Sequence, residues 1–423
     1  MTEKILIISS WAPPRIGGPQ NLYTILSTLP PDSYSILTSY YGIDNYSAKN
    51  GSWLTGRYYF YDNPGFSDTQ ENRENINIET VGREKISSLK YRVKRIPFLR
   101  IILGPLLIFG QVLMMIRSGL TIIKNNDFNA ILGVSDFGPA LISSYIIHKI
   151  TGKKLSLYLF DIYRGNALLF PGNILAALFE PMLFRDADKI IVTNGGTKDL
   201  YVKRYGKSIR EKMYVIYNSI FPDSYIKEKG EGPYKTPATP YKIVFTGGIY
   251  WPQARSIKNL ISVIKSMDLD VQLDIYSTSP KDYLTKIGIR ESNKVKIESA
   301  PPERMPEIQG SADILFLPLS WHTKGQQIID TATPGKLTDY LIAGKPILIH
   351  APASSFLVKY ARDNDFAAVV DQEDIEQLKE AITKLLTDTP WRKKLVENAK
   401  NTFFKNHDAN RNTLLFQDII KNY

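Results

Sequence analysis

The chain reads as an α/β protein of two doubly wound parallel sheets, and three observations predict it. Short apolar strands alternate with helical stretches along most of the sequence, the pattern of parallel strands joined by crossover helices. A glycine turn follows the first strand of each half: Gly17-Gly18 lies in the turn from Trp11 to Pro19, and Gly247-Gly248 follows Thr246. At 423 residues the chain exceeds what one core supports, so two domains of about 200 residues each are expected.

In the first half the apolar strand from Lys4 to Ser9 runs into that glycine turn, and a helix starts near Gln20. Further strands are expected from Ala130 to Val134, Leu155 to Phe160, Lys189 to Thr193 and Tyr214 to Ser219. The polar, Gly- and Pro-bearing stretch from Lys227 to Pro240 reads as a linker. The second half repeats the scheme with a strand from Lys242 to Thr246 and a helix across Ser256 to Lys265. Strands then follow at Val271 to Tyr276, Val295 to Ile297, Ile314 to Leu317, Ile347 to Ile349 and Ala367 to Val370. The expected domains are thus residues 1–226 and 241–405, joined by 227–240, with a helical tail over 406–423. Ligands of such sheets bind beyond the carboxyl ends of the strands, so the two glycine turns should open on a common cleft between the domains.

Composition narrows the function. With no cysteine there is no disulfide framework, thiol nucleophile or cysteine-bound metal, and a reducing compartment is expected. His148, His322, His350 and His407 are scattered and show no metal-ligand spacing. The first residues form a strand, not a secretion signal, so a cytosolic location is expected. The net charge of +11 is concentrated between Val81 and Asn125, where Arg83, Lys85, Lys90, Arg92, Lys94, Arg95, Arg100, Arg117 and Lys124 face the single acid Glu84. The same stretch is strongly apolar from Ile96 to Ile116 but is broken by Arg100, Pro105 and Gln111, so it does not read as a transmembrane helix. Two readings stand for residues 83–124: a helix lying against an anionic membrane, or a buried helical hairpin with a solvated basic face. Because the basic residues are interleaved with aliphatic rather than aromatic side chains, nucleic acid is not expected as a partner.

The run from Thr331 to Leu348 carries the most chemistry. Thr333 is a candidate N-cap, Pro334 suits the first helical position, and Gly335 admits a ligand close to the backbone. The free amides and positive dipole end of such a helix suit a diphosphate. Asp339, about one turn further on, is placed to accept hydrogen bonds from a ribose diol; Gly344 stops the helix and Pro346 leads into the next strand. This run resembles the donor-binding signature of the retaining glycosyltransferases of the family 4 type, among the glycosyl transferases group 1, which have the GT-B fold of two Rossmann-like domains facing across a cleft. In that signature Asp339 matches the second acid, whereas Thr331 stands where the first acid is usual, with Asp330 beside it.

The resemblance extends from Ile5 to about Phe404. It implies that Gly17 and Gly18 form the N-terminal glycine loop near donor phosphate and acceptor. Asp161 keeps the second position of a His-Asp pair whose histidine is here Phe160, and would hold a sugar hydroxyl or orient the acceptor, with Arg164 nearby as a possible anion contact; capping the next helix is its alternative role. In the turn Gly247 to Arg255 the family's arginine is replaced by Ile249, while Arg255 stands where its lysine would be. A departing diphosphate must be met by fixed positive charge, so Arg255, Lys336 and the amides at Pro334-Gly335 are the candidates, with Gly248 beside them. His322 follows a strand's carboxyl end and is a candidate pocket residue. The implied reaction is transfer of a sugar from a nucleotide diphosphate donor, with retention, to a saccharide or lipid-linked saccharide acceptor in surface glycan biosynthesis. No cofactor or metal is expected, since no aspartate-x-aspartate motif is present and the leaving phosphate is thought to take the acceptor's proton. The alternatives are a nucleotide-sugar epimerase on the same scaffold, or a non-catalytic glycan or membrane-scaffold protein derived from a transferase.

Overall fold

A computed structural model describes residues 4–15, 17–74, 97–135, 138–166, 170–226, 239–321 and 325–421. The chain divides into two units, one of residues 1–217 with 412–423, the other of residues 218–411. This boundary lies upstream of the one expected at 226, and the return to the first unit begins at Asn412 rather than at residue 406. Most of the expected linker, residues 227–238, lies outside the described residues.

The first unit is a seven-stranded parallel sheet of β1 (Ile5–Ile8), β2 (Tyr34–Thr38), β3 (Arg57–Phe60), β4 (Ala130–Val134), β5 (Lys154–Leu159), β6 (Lys189–Val192) and β7 (Met213–Val215), in the order β3-β2-β1-β4-β5-β6-β7. The order reverses between β1 and β4, which pair in register from Ile5 opposite Ala130 to Ile8 opposite Gly133. β1 is buried along its whole length, as a central parallel strand covered on both faces must be. β2 and β3 are not evident in the sequence. Neither is a long aliphatic run, and aromatic packing supplies their burial: Tyr34, Tyr58 and Phe60 lie in the same core cluster as Ile5, Ile7 and Ile36. The C-terminal segment joins this core through Phe416, Ile419 and Ile420, and the Lys189 ammonium donates to the Ile419 carbonyl.

The helix Pro97–Asn125 leads back into the amino end of β4, so it runs antiparallel to the strands. Gln111 donates to Ser10 Oγ at 3.0 Å and to Tyr61 Oη at 2.8 Å, just past the carboxyl ends of β1 and β3. The helix before Gln111 therefore extends beyond the strand ends, by roughly 20 Å at 1.5 Å per residue.

The second unit is a six-stranded parallel sheet of β8 (Tyr241–Thr246), β9 (Val271–Tyr276), β10 (Val295–Glu298), β11 (Ile314–Pro318), β12 (Ile347–His350) and β13 (Ala367–Val370), in the order β10-β9-β8-β11-β12-β13. Its switch point lies between β8 and β11. The helix after β8 spans Trp251–Ser266, starting earlier than the sequence pattern indicates, and buries Ile257, Leu260, Ile261 and Ile264 against the sheet.

Candidate active site

In the second unit the site is built at the carboxyl end of β8. Gly247 adopts φ +107°, a conformation that favours glycine, and its amide donates to the Tyr276 carbonyl at 2.8 Å. Ser279 braces the turn from the other side, accepting from the Ile249 amide at 2.9 Å and donating to the Ile249 carbonyl at 3.1 Å. Over this turn lies Lys336. Its ammonium is 4.2 Å from the Phe245 ring centroid, and a methyl group on Gly247 would meet Lys336 Cε at 3.1 Å. Desolvation pushes the Lys336 ammonium down to about 7, with the Asp339 carboxylate opposing that shift.

Asp339 lies one turn along the helix Lys336–Ile342. Desolvation raises its carboxyl to about 6, against the opposing effects of a Tyr225 hydrogen bond and the Lys336 charge. Tyr225 belongs to the short helix Asp223–Ile226, and its hydroxyl donates to Gln309 Oε1 at 2.9 Å. Gln309 Nε2 in turn donates to Thr246 Oγ1 at 3.3 Å, and the Thr246 amide donates to the Tyr340 hydroxyl at 2.9 Å. A buried polar chain thus links Asp339 to the carboxyl end of β8. Tyr225 and Gln309 carry no local motif, and nothing in the sequence pattern singled them out.

The helix entrance differs from the expected one. Its N-cap is Gly335, in αR geometry (φ −54°, ψ −34°), not Thr333. Leu337 donates to the Pro334 carbonyl at 2.9 Å, so the chain enters through a tight turn, and the Thr333 hydroxyl is buried without a hydrogen-bond partner. Pro334 has no N–H, so only the Gly335 and Lys336 amides are available there to an anion. A side chain on Gly335 would meet nothing within 4 Å, so the backbone is open to approach at that point. Thr331 turns its hydroxyl onto the Gln327 carbonyl at 2.7 Å, and Asp330 accepts from Ser354 Oγ at 2.7 Å, so neither carboxylate nor hydroxyl stands free in place of the missing acid.

Arg255 lies near the start of the helix Trp251–Ser266. Its guanidinium pairs with Glu373, which also accepts from Asn259 Nδ2 at 3.2 Å, so its charge is already neutralised, whereas Lys336 overhangs the glycine turn. Gly248 follows directly in that turn, and His322 lies outside the described residues.

In the first unit the structure brings together the two expected features. Gly17 has φ +93° and precedes the helix Gly18–Leu26. A methyl on Gly18 would lie 3.0 Å from Phe160 Cδ2, so the glycine loop packs directly on the residue before Asp161. Phe160 is fixed in turn by its amide donating to Ser135 Oγ at 2.8 Å and by Thr193 Oγ1 donating to its carbonyl at 2.9 Å. Asp161 is exposed and caps no helix, since the next one starts at Gly172 after an N-cap at Pro171. Desolvation nonetheless raises its carboxyl. The loop is clamped from beneath by Glu180, fully buried, which accepts from the Arg164 amide at 2.6 Å, from Arg204 Nη1 at 2.5 Å and from the Tyr205 hydroxyl at 2.6 Å. Arg15 stacks 4.7 Å over the Trp11 ring and donates to the Gly42 carbonyl at 3.0 Å, lacing the glycine loop to the turn after β2. The sequence does not reveal this lacing, because the bond to Gly42 forms only once β1 and β2 are neighbours.

Two Rossmann-like parallel sheets, each with a glycine turn where strand order reverses, define the GT-B class. Residues 251–402 match the family model described as glycosyl transferases group 1, so a domain of that family makes up most of the second unit. Among solved structures, HepE from Anabaena in complex with UDP-glucose has a TM-score of 0.64 at 14% identity, over 99% of this chain and 100% of that one. A glycosyltransferase from Rickettsia africae has a TM-score of 0.63 at 14% identity, over the whole of both chains. WaaG, described as a glycosyltransferase involved in lipopolysaccharide biosynthesis, has a TM-score of 0.61 at 16% identity, over 99% and 100%. At such identities the likeness shows the fold alone. Comparison with curated protein sequences finds no match.

Proposed function

We propose that the chain is a glycosyltransferase that moves a sugar from a nucleoside diphosphate donor, with retention, to a saccharide carried on a lipid, in the assembly of a surface glycan. The observation that carries the donor half is the placement of Lys336 over the Gly247 turn with Asp339 one helical turn away. A cation, the open Gly335 and Lys336 amides and a carboxylate are the groups needed for a diphosphate joined to a ribose. In this reading Lys336 meets the charge that develops on the departing diphosphate, assisted by those amides. Asp339 receives the ribose diol. The unpartnered Thr333 hydroxyl and Gly248 complete the donor contacts, and Arg255 joins them by releasing Glu373. Asp161, presented beside Gly17 and Gly18, orients the acceptor. The leaving phosphate itself accepts the acceptor's proton, so no separate general base and no metal or other cofactor is assigned. HepE, solved with UDP-glucose, makes a UDP-sugar the first donor to try.

The acceptor half rests on the helix Pro97–Asn125. Its sheet side packs through Val112, Met115 and Ile122, whereas Leu106 is 63% and Phe109 61% exposed in the part that extends beyond the strands. Met114 continues the exposed apolar face, and Arg117 and Lys124 follow it. Although this helix is long and apolar enough to cross a membrane, it would have to abandon that packing to do so. Apolar side chains followed by cations suit a cytoplasmic protein resting on an anionic bilayer. The basic residues from Arg83 to Arg95, which belong to the same proposal, lie outside the described residues.

A thermal-shift screen with UDP, GDP and dTDP sugars tests the donor half, since any ligand that prefers the folded state raises Tm. Failure of every nucleotide to shift Tm overturns it and leaves the non-catalytic scaffold. Flotation with phosphatidylglycerol vesicles tests the second half; failure to float, or flotation unchanged in a Leu106→Asp/Phe109→Asp variant, overturns the membrane contact.

A further inference from the structure

A carboxylate that is to hold a ribose diol must be aimed and ionised, and the helix Lys336–Ile342 alone secures neither for Asp339. The titratable groups acting on it are Tyr225, whose hydrogen bond favours the ionised form, and Lys336 on its own helix; Tyr340 is the next residue and is itself bonded to Thr246. β11, packed on the same helix, brings no titratable side chain, and those of the helix Thr389–Asn406 exert no resolved effect on Asp339. Tyr225 is buried, and its hydroxyl reaches both Asp339 and Gln309.

A phenol has one proton to give. When it points at Gln309 Oε1, Asp339 keeps its contact only as the protonated acid, donating to the phenol oxygen. When it turns to an ionised Asp339, the Gln309 amide rotates, offering Nε2 to the phenol oxygen and Oε1 to the Thr246 hydroxyl. Both arrangements leave every buried polar group paired, which is what lets a buried chain of this kind persist. We infer that Tyr225, acting with Gln309, is a positioning residue for Asp339: the phenol holds the carboxylate ionised and oriented toward the ribose of the nucleotide. The inference rests on the donor reading above.

Binding of UDP, GDP and dTDP, measured by calorimetry between pH 5 and 8, tests it with wild type, Tyr225→Phe and Gln309→Met. In wild type, affinity for the nucleotide that binds should fall as pH drops through about 6, where Asp339 takes up its proton. Loss of the phenol donor should move this acid limb to higher pH by about one unit, weakening binding roughly tenfold at pH 5.5 but less than about threefold at pH 7.5. Gln309→Met takes one bond from the phenol in either arrangement and should leave the limb near its wild-type position, and a 2′,3′-dideoxy nucleotide should keep, with every protein, only the limb set by protonation of its own diphosphate. A uniform loss of affinity at every pH in Tyr225→Phe, or a limb left unmoved by that variant, overturns the inference while leaving the donor site in place. Failure of wild type to bind any of the three overturns the donor reading itself.

Discussion

Replacing Lys336 by Met keeps the aliphatic stem over Phe245 and removes only the charge. Two effects set the magnitude. A charge-assisted hydrogen bond to the diphosphate contributes about 1.5–3 kcal/mol, so its loss should raise Kd about 10- to 150-fold at pH 6.5. Desolvation holds the free ammonium at about 7, below the ordinary lysine range, so the folded protein binds fewer protons at Lys336 than the unfolded chain from about pH 7 up to 10.5. Across that window the unliganded fold gains stability from this group as pH rises, because the amine is neutral. A diphosphate reverses the preference by giving the ammonium a partner. Wild-type binding at pH 8 should therefore take up roughly 0.9 proton per site, and affinity should decline toward about tenfold per pH unit above 7. Calorimetry in buffers of different ionisation enthalpy reads the proton uptake directly. In Lys336→Met the uptake should vanish and the alkaline decline flatten. Unchanged affinity together with unchanged proton uptake would show that this ammonium does not meet the diphosphate.

Three further outcomes are expected. Gly247→Ala forces a side chain into φ +107° and against Lys336 Cε, so it should cost about 1–2 kcal/mol of stability and weaken nucleotide binding at least as much as removing the charge; a fully stable, tightly binding variant would refute the placement of Lys336. Gly18→Val should displace the Phe160 ring, whose Cδ2 a Cβ at residue 18 would meet at 3.0 Å, and depress transfer through the loop that presents Asp161. Nucleotide affinity should fall less than transfer, and equal losses would count against an acceptor role for that loop. His350 and His407 are buried and held neutral, each down to about 4 by desolvation, so the unfolded chain binds more protons between pH 6.5 and 4. Stability should fall as pH drops through that window, by up to about 3 kcal/mol per histidine. His407, bonded to the Asn218 carbonyl at 2.7 Å and to the Tyr360 hydroxyl at 3.0 Å, should account for about half of the slope, and a His407→Asn variant that melts with the same pH dependence refutes that share.

What the sequence reveals about this molecule depends on whether the relevant interaction is local. Strands such as Ala130–Val134 and Ile314–Pro318 are legible because a continuous apolar run is itself the signature of a parallel strand buried on both faces. Tyr34–Thr38 and Arg57–Phe60 are not, since their burial comes from aromatic side chains that meet only after the sheet has formed, as in the edge-to-face contact of Phe60 with Phe66 at 5.1 Å. The same division runs through the candidate site. The glycines and the spacing from Thr331 to Gly344 locate the helix, and Gly344, at φ +67°, ends it as the pattern implies. Local preference also nominates Thr333 as the cap, and there the structure differs for the reason that hides β2 and β3. Thr333 is turned inward, and Arg255 is claimed by Glu373 from beyond β13, a neighbour that no window of a dozen residues contains. Lys336 lies over the Gly247 turn because a glycine there leaves space that any side chain would fill. What packs around the two cations thus separates them: the arginine expected from spacing is paired with Glu373, and the lysine that spacing left undecided is held, desolvated, over the turn.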